Sequence, residues 1–345
     1  MIHLKNTVNY QNFVYDLCEW YRINQRTLPF RKTRDPYAIF VSELMLQQTQ
    51  VDTMIDYYNR FMASFPTIEA LANAPLESVL KAWEGLGYYR RAAYVHKTAQ
   101  KIVSEYQGAF PNNYKDLLKL PGVGRYTAGA ILSIAYMIPT PAIDGNVFRV
   151  ITRLLMIDDD ITTAKAYQKV EKELQLMLAY DNPSDFTQAL MELGALVCLR
   201  QPKCQICPVK SHCFAYEHSC QLAFPNKPKA KTKNTESQIA FIYENNGMFL
   251  LSKRPQTGLL ANMFEFPQFQ TTSLTAAIQS FNKIYNTIIQ DTVLLTEFKH
   301  LFTHKIWQIR VYKIKTEVPI TDSLYRLNTL PYAMSKAHLK IKDLI

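Results

Sequence analysis

The chain has 345 residues, 48% of them apolar, which is enough for two or three domains with hydrophobic cores of their own. Its net charge of +10 and pI near 9.1 suit a polyanionic partner without proving one. The polar, mixed stretch 1–21 has no apolar core suited to a signal peptide, and no apolar run is long enough to span a membrane.

In chain order, residues 10–215 read mainly as helices. Segments 41–61, 76–89, 92–106, 127–136 and 166–179 carry apolar residues at three-to-four spacing. Pro66, Pro75, Pro139, Pro141 and the Asp181-Asn182-Pro183 turn punctuate them. No alternation of strand and helix appears here, which argues against a doubly wound sheet. Residues 1–225 hold 23 basic and 21 acidic side chains, so nucleic-acid contact in this part depends on local placement. Residues 226–235 add four lysines and no acid and read as a charged, solvated linker. Beyond it, 238–243, 248–251 and 306–314 are β-rich and 273–285 is helical, which predicts a separate α/β domain.

Two segments carry chemistry. Leu120-Pro121-Gly122-Val123-Gly124-Arg125-Tyr126-Thr127 places two glycines before a helix. Glycine permits close backbone approach, and free N–H groups at a helix start favour an anion. A DNA phosphate is held this way without base readout. An ordinary interhelical loop is the bland alternative, but the full string resembles the helix-hairpin-helix of DNA repair glycosylases. Cys198, Cys204, Cys207 and Cys213 fall within sixteen residues of a chain with six cysteines. Such spacing fits Zn²⁺ or a [4Fe–4S] cluster, and spacing alone does not decide between them. Cys18 and Cys220 read as ordinary thiols.

Further strings widen the likeness. They are Leu28-Pro29-Phe30-Arg31, Asp35-Pro36-Tyr37, and the run from Val41 through Glu43, Gln48 and Thr49 to Val51. Gly85-Leu86-Gly87-Tyr88-Tyr89, Ile143-Asp144-Gly145-Asn146-Val147, Gly258-Leu259-Leu260-Ala261 and Glu265-Phe266-Pro267 continue it. Together they resemble the adenine DNA glycosylase (MutY) family across the whole chain. The resemblance implies a mainly α helix-hairpin-helix glycosylase fold, a six-helix barrel plus an iron-sulfur helical domain, with a C-terminal α/β Nudix-like domain. The implied domains are 1–27 with 140–225 for the cluster, 28–139 for the barrel, 226–235 for the linker and 236–345 for 8-oxoguanine recognition.

Removing a purine from deoxyribose needs a proton on the leaving base and negative charge beside the sugar. Two carboxyl groups in different environments divide that work. Glu43, set among Val41, Leu44, Met45 and Leu46, is expected to be a protonated general acid. The resemblance implies that it delivers its proton to N7 of adenine. Asp144, beside Asn146, is expected to stay ionised and shelter the oxocarbenium ion. Alone, Glu43 reads as a solvated helix residue and Asp-Gly as a turn. Tyr126 stands where the related endonuclease III has a Schiff-base lysine, and a phenol cannot form that bond. This predicts a monofunctional enzyme, with Tyr126 packed or hydrogen-bonded near Asp144.

The adenine must leave the stack to be reached. Gln48, Thr49, Leu86 and Tyr88 resemble family residues that wedge into DNA and surround 8-oxoguanine, although Leu86 and Tyr88 could also be core. Arg31 and Glu192 match positions near the flipped base, and Arg90 and Arg91 are expected to face phosphate or solvent. The resemblance favours the [4Fe–4S] cluster, with one residue fewer in the first gap than the family has. His300-Leu301-Phe302-Thr303-His304 matches a lesion-contacting loop with Thr303 in place of serine. Phe30 and Phe40 replace the usual tryptophans. The acidic box of Nudix hydrolases is absent.

The expected partner is double-stranded DNA carrying A:8-oxoguanine or A:G mispairs, bound by a monomer in a bacterial cytoplasm and associated with the nucleoid through DNA. A thymine-mismatch or oxidised-pyrimidine glycosylase and a lesion-binding protein without turnover are the alternatives. Gln48, Glu192 and the C-terminal domain weigh against the first. Retention of both Glu43 and Asp144 weighs against the second.

Overall fold

The computed structural model describes residues 8–228 and 232–345; Lys229, Ala230 and Lys231 of the predicted linker lie outside the described residues. The first helices are α1 (Tyr10–Asn24), α2 (Pro36–Leu46), α3 (Val51–Ser64), α4 (Ile68–Asn73), α5 (Leu76–Ala82) and α6 (Arg90–Tyr106). Short α7 (Tyr114–Leu117) and α8 (Arg125–Ala130) follow, and α8 runs into a π-helical turn at Ile131–Ala135. Then come α9 (Gly145–Leu155), α10 (Ala164–Met177), α11 (Pro183–Leu196) and α12 (Phe214–Glu217). Capping explains several starts. Asp35 accepts the Tyr37 N–H at 3.0 Å with Pro36 at the first helical position, and Asn182 accepts the Ser184 N–H at 2.9 Å ahead of Pro183.

Three predicted helices differ from the observed ones. Segment 41–61 is two helices, because Gln48 takes the left-handed conformation with φ 60° and stops α2. Segment 76–89 ends as a helix at Ala82, because Gly85, Gly87 and Tyr88 have φ of 91°, 82° and 51°. Segment 127–136 changes from α to π at Ile131.

Packing divides the chain into two compact units, Met1–Ala72 with Lys97–Lys229, and Asn73–His96 with Ala230–Ile345. In the first, Phe13 and Leu17 of α1 share a core with Ile151 of α9, Leu174 of α10 and Phe186 of α11. Cys198, Cys207 and Cys213 pack against that core. Phe30 and Phe40 are both buried in this unit, at 8% and 0% exposure, so the aromatic bulk expected there is retained.

The second unit is built on a sheet of β1 (Asn234–Ile242), β2 (Gln268–Phe269), β3 (Ile289–Leu301) and β4 (Lys305–Thr316), in the order β2-β1-β4-β3. The strand β1 begins inside the predicted linker, and β3 was not marked by the sequence pattern. β1 and β4 are parallel, with Asn234 opposite Lys305 and Ile242 opposite Lys313. Their alternate residues enter separate cores. Ala240, Ile242, Trp307, Ile309 and Val311 join Ala337 and Ile341, whereas Ile239, Phe241, Tyr312 and Ile314 join Ala277 and Phe281. The helices α13 (Leu274–Tyr285) and α14 (Lys336–Lys342) therefore cover opposite faces.

Phe241 is fully buried and meets the rings of Phe269, Phe281 and Tyr312 at 5.8, 5.5 and 6.3 Å. Phe241→Ala should cost about 3–5 kcal/mol in urea unfolding. A loss below about 1 kcal/mol would deny Phe241 this anchoring role.

Candidate active site

The helix α2 is buried at every residue from Tyr37 to Met45. It carries Glu43 into the interior, where the side chain is 5% exposed. Burial pushes the Glu43 carboxyl up to about 7; the hydrogen bond from Tyr126 opposes the rise and the nearby Asp144 adds to it. Tyr126 lies in the first turn of α8, and its phenol, expected beside Asp144, donates its hydrogen bond to Glu43 Oε2. Burial, then the neighbouring Glu43 and Asp144 carboxyls, hold the phenol well above its usual range, so it remains an O–H donor.

Asp144 is the N-cap of α9, its Oδ1 accepting the Val147 N–H at 2.7 Å. Burial raises its carboxyl, while the N–H groups of Val147 and Asn146 and the charge of Arg149 work against the rise. The Asn146 side chain accepts from Arg149 Nη2 at 2.9 Å, and the same nitrogen donates to the Gly194 carbonyl at 2.8 Å. Glu43, Tyr126, Asp144 and Asn146 all line one cavity of about 560 Å³ within the first unit, together with Gln48 and Thr49.

Arg31 and Glu192 line the same cavity, and so does Arg26. Glu192 is 0% exposed. Its oxygens accept from Arg26 Nε and Nη2, both at 2.8 Å, and from Arg31 Nη2 at 2.6 Å. Burial works to raise this carboxyl, but the two guanidinium groups outweigh it and hold it at about 2. Nothing in the local sequence separates Arg26 from an ordinary surface arginine. Only the fold brings it to Glu192.

In the hairpin, Gly122 has φ 76°, and the Val123 N–H closes a turn onto the Leu120 carbonyl at 3.1 Å. Thr98 donates to the Pro121 carbonyl at 2.6 Å and pins the loop to α6. Gly124 has ordinary extended backbone, and a Cβ there would meet nothing within 4 Å. Its main chain is open to approach from outside.

The second unit holds the other sequence candidates. Tyr88 is 46% exposed, whereas Leu86, expected to wedge beside it, is buried at 5%. Arg91, expected to face phosphate or solvent, is also buried, and burial lowers it to about 10. Its guanidinium lies 5.2 Å from the Tyr88 ring centroid and 5.5 Å from that of Trp83, and donates to the Gly87 carbonyl. Arg90 is exposed as expected. Thr303 Oγ1 bonds the Tyr88 hydroxyl at 3.2 Å. Phe302 packs between His300 and Trp307, with ring centroids 4.6 and 4.7 Å away, and His304 is exposed.

Cys198, Cys204, Cys207 and Cys213 form no disulfide and line one small cavity of about 30 Å³ with Arg153. Among the described residues, no three Cys, His or carboxylate side chains are gathered to hold one metal ion. A [4Fe–4S] cluster carries one thiolate on each iron and spreads its ligands more widely than a single ion bound at about 2.3 Å. The set fits the cluster in donor chemistry. Burial pushes Cys207 up to about 12 and Cys213 to about 11, and a bound cation would reverse that by taking the thiolates.

Folded Glu43 keeps its proton to about 7, whereas the unfolded chain releases it near 4.5, so this group costs stability as pH rises between those values. Glu43→Gln removes that slope. Relative to wild type it should gain about 2 kcal/mol in urea unfolding on going from pH 5 to pH 8. Parallel pH dependences for the two proteins would refute the raised carboxyl.

The family of HhH-GPD superfamily base excision DNA repair proteins matches residues 41–176, and the NUDIX domain family matches 238–344. Among solved structures, a thermostable thymine-DNA glycosylase is 27% identical with a TM-score of 0.54, covering 61% of this chain and 97% of that one. Endonuclease III in a non-covalent DNA complex, at 24% identity and a TM-score of 0.51, shares the helical fold over 62% of this chain and 99% of its own. The first part is therefore a helix-hairpin-helix glycosylase fold and the C-terminal part is Nudix-like. The adenine DNA glycosylase of Buchnera aphidicola (Baizongia pistaciae) is 36% identical over 96% of this chain and 97% of its own. That of Rattus norvegicus is 36% identical over 88% and 70%. Likeness of this extent, spanning both the helical part and the Nudix-like part, shows that the chain belongs to the adenine DNA glycosylase family.

Proposed function

We propose that the protein is a base-excision-repair enzyme that hydrolyses the N-glycosidic bond of adenine mispaired with 8-oxoguanine, and less well with guanine, in double-stranded DNA. The observation that carries this reading is Glu43 and Asp144 on one cavity, in a chain of the adenine DNA glycosylase family. The adenine leaves the stack and enters the cavity. Glu43, protonated near neutrality, gives its proton to N7. Asp144, anchored on the start of α9, shelters the cationic sugar. Arg26, Arg31 and Glu192 present a fixed polar wall suited to the edge of a base.

Tyr126 offers no amine, so the enzyme is monofunctional. It works as a monomer on DNA in a bacterial cytoplasm, and no helix of the described residues is long and apolar enough to cross a membrane. The hairpin of Gly122, Val123 and Gly124 holds a phosphate; the open space at Gly124 supports that role. Tyr88, Phe302, Thr303 and His304 form the lesion-reading element, and Gln48 and Thr49 wedge into the gap that the flipped adenine leaves. The bond between Thr303 and Tyr88 supports joining the two segments in one task.

Residues 1–27 and 140–225 form the cluster domain, 28–139 the six-helix barrel, 226–235 the linker and 236–345 the 8-oxoguanine-recognition domain. A core shared by Phe13, Tyr21 and residues from Ile143 to Val209 supports the first assignment. Cys198, Cys204, Cys207 and Cys213 hold a [4Fe–4S] cluster, which ties the surrounding loops together. A thymine glycosylase reading draws on one likeness confined to the helical part. The Nudix-like part and Glu192 weigh against it.

Duplexes carrying A:8-oxoguanine, T:G or an oxidised pyrimidine should separate the readings. Adenine release alone, with strand breaks only after alkali, is expected. Thymine release, or breaks as abundant without alkali, overturns it. Glu43→Gln should lower adenine release at least about 100-fold while duplex binding holds. Comparable turnover removes Glu43 from its role. Anaerobically purified protein should be brown and carry iron at cluster stoichiometry, and stoichiometric zinc instead would refute the cluster.

A further inference from the structure

The segment that delivers Asp144 is held from two sides at distances only glycine allows. On α8, a Cβ added to Gly129 would lie 2.1 Å from the Pro141 carbonyl oxygen and 3.1 Å from Ala142 Cα. Those atoms are main chain and cannot swing aside. On α11, a Cβ added to Gly194 would lie 2.7 Å from Asn146 Cβ and 3.3 Å from Asn146 Cα. Neither glycine is at positive φ, so space and not backbone freedom is what each supplies. A third hold comes from the π turn. The fully buried Ser133 donates to the Thr140 carbonyl at 2.6 Å and accepts the Thr140 N–H at 3.2 Å.

These contacts fall at 140, 141–142 and 146, on both sides of Asp144 in sequence. Given adenine release as the reaction, we propose that Gly129, Ser133 and Gly194 are positioning residues that set the Asp144 carboxylate against the reacting sugar. None of the three touches substrate. Each fixes the main chain that does the placing, through α8, the π turn and α11 in turn. A carboxylate meant to face a developing cation tolerates little error, and a displacement of about 1 Å can cost about 100-fold in rate.

Gly194→Ala is the sharpest probe, because its nearest obstacle, Asn146 Cβ at 2.7 Å, is a side-chain atom that can itself be removed, leaving the Asn146 main chain at 3.3 Å. Three quantities are measured on the full chain: the single-turnover rate of adenine release, the Kd for a duplex with a tetrahydrofuran abasic site, and Tm. Gly194→Ala should slow release at least about tenfold, with Kd nearly unchanged and Tm lowered by only about 2–10 °C, so that the protein stays folded at the assay temperature. Added to Asn146→Gly, which removes the 2.7 Å contact and keeps only the 3.3 Å main-chain ones, the same substitution should cost clearly less than in the wild type, about threefold or below. Equal cost in both backgrounds, or none in the wild type, overturns the assignment. Ser133→Ala provides an independent arm. It should slow release several-fold without moving Kd, and an unchanged rate removes Ser133. A wild-type chain that releases no adenine would instead sink the glycosylase reading itself.

Discussion

The constraint on which the site depends is the cost of placing a carboxylate charge in an apolar interior. Every residue of α2 from Tyr37 to Met45 is buried, so Glu43 has no route to water along its own helix. Removal from water favours the neutral acid, and the phenol of Tyr126 recovers only part of what solvation would have supplied. Glu192, on the same cavity, shows the opposite solution. It is no less buried, yet two guanidinium groups keep it ionised. Two glutamates within one hollow are thus driven apart in proton affinity by their neighbours alone, which is how one cavity comes to hold an acid and a fixed anion together.

Much of this was legible in the chain, for definite reasons. The apolar neighbours of Glu43 along α2 are near in sequence, and together with the paired motifs they point to a buried acid where the residue alone reads as solvated. The four cysteines and the Gly-Val-Gly turn are local patterns with local consequences. What escaped reading was decided by contacts between distant segments or by local backbone turns that carry no sequence signature. Arg26 matters because α11 brings Glu192 to it across more than a hundred residues. Arg91 looked like a surface cation because the left-handed bend at Gly85 to Tyr88, which folds the rings of Trp83 and Tyr88 onto it, is not announced by the spacing of those residues. The break in α2 at Gln48 escaped because a left-handed glutamine carries no glycine or proline signature. The strand β3 escaped because its residues from Val293 to Leu295 stay partly or fully exposed and do not alternate cleanly.

The Nudix-like unit turns the same logic outward. Its sheet is apolar on both faces and covered by α13 and α14. The turn from Phe302 to His304 joins β3 to β4 at one end of that sheet. Even the linker takes part, since Lys233 donates to the Phe302 carbonyl at 2.8 Å. A stretch that composition marks as a free tether thus has a fixed attachment at its far end.

The bend at Gly85 to Tyr89 has one more consequence. Tyr88 projects into solvent from a left-handed main chain, with a buried guanidinium beneath its ring and a threonine hydroxyl on its phenol. Three restraints on one aromatic leave few rotamers to freeze when a partner arrives. The ordering entropy that usually weakens contacts made by exposed side chains has already been spent during folding, so this ring stands ready as a rigid plate.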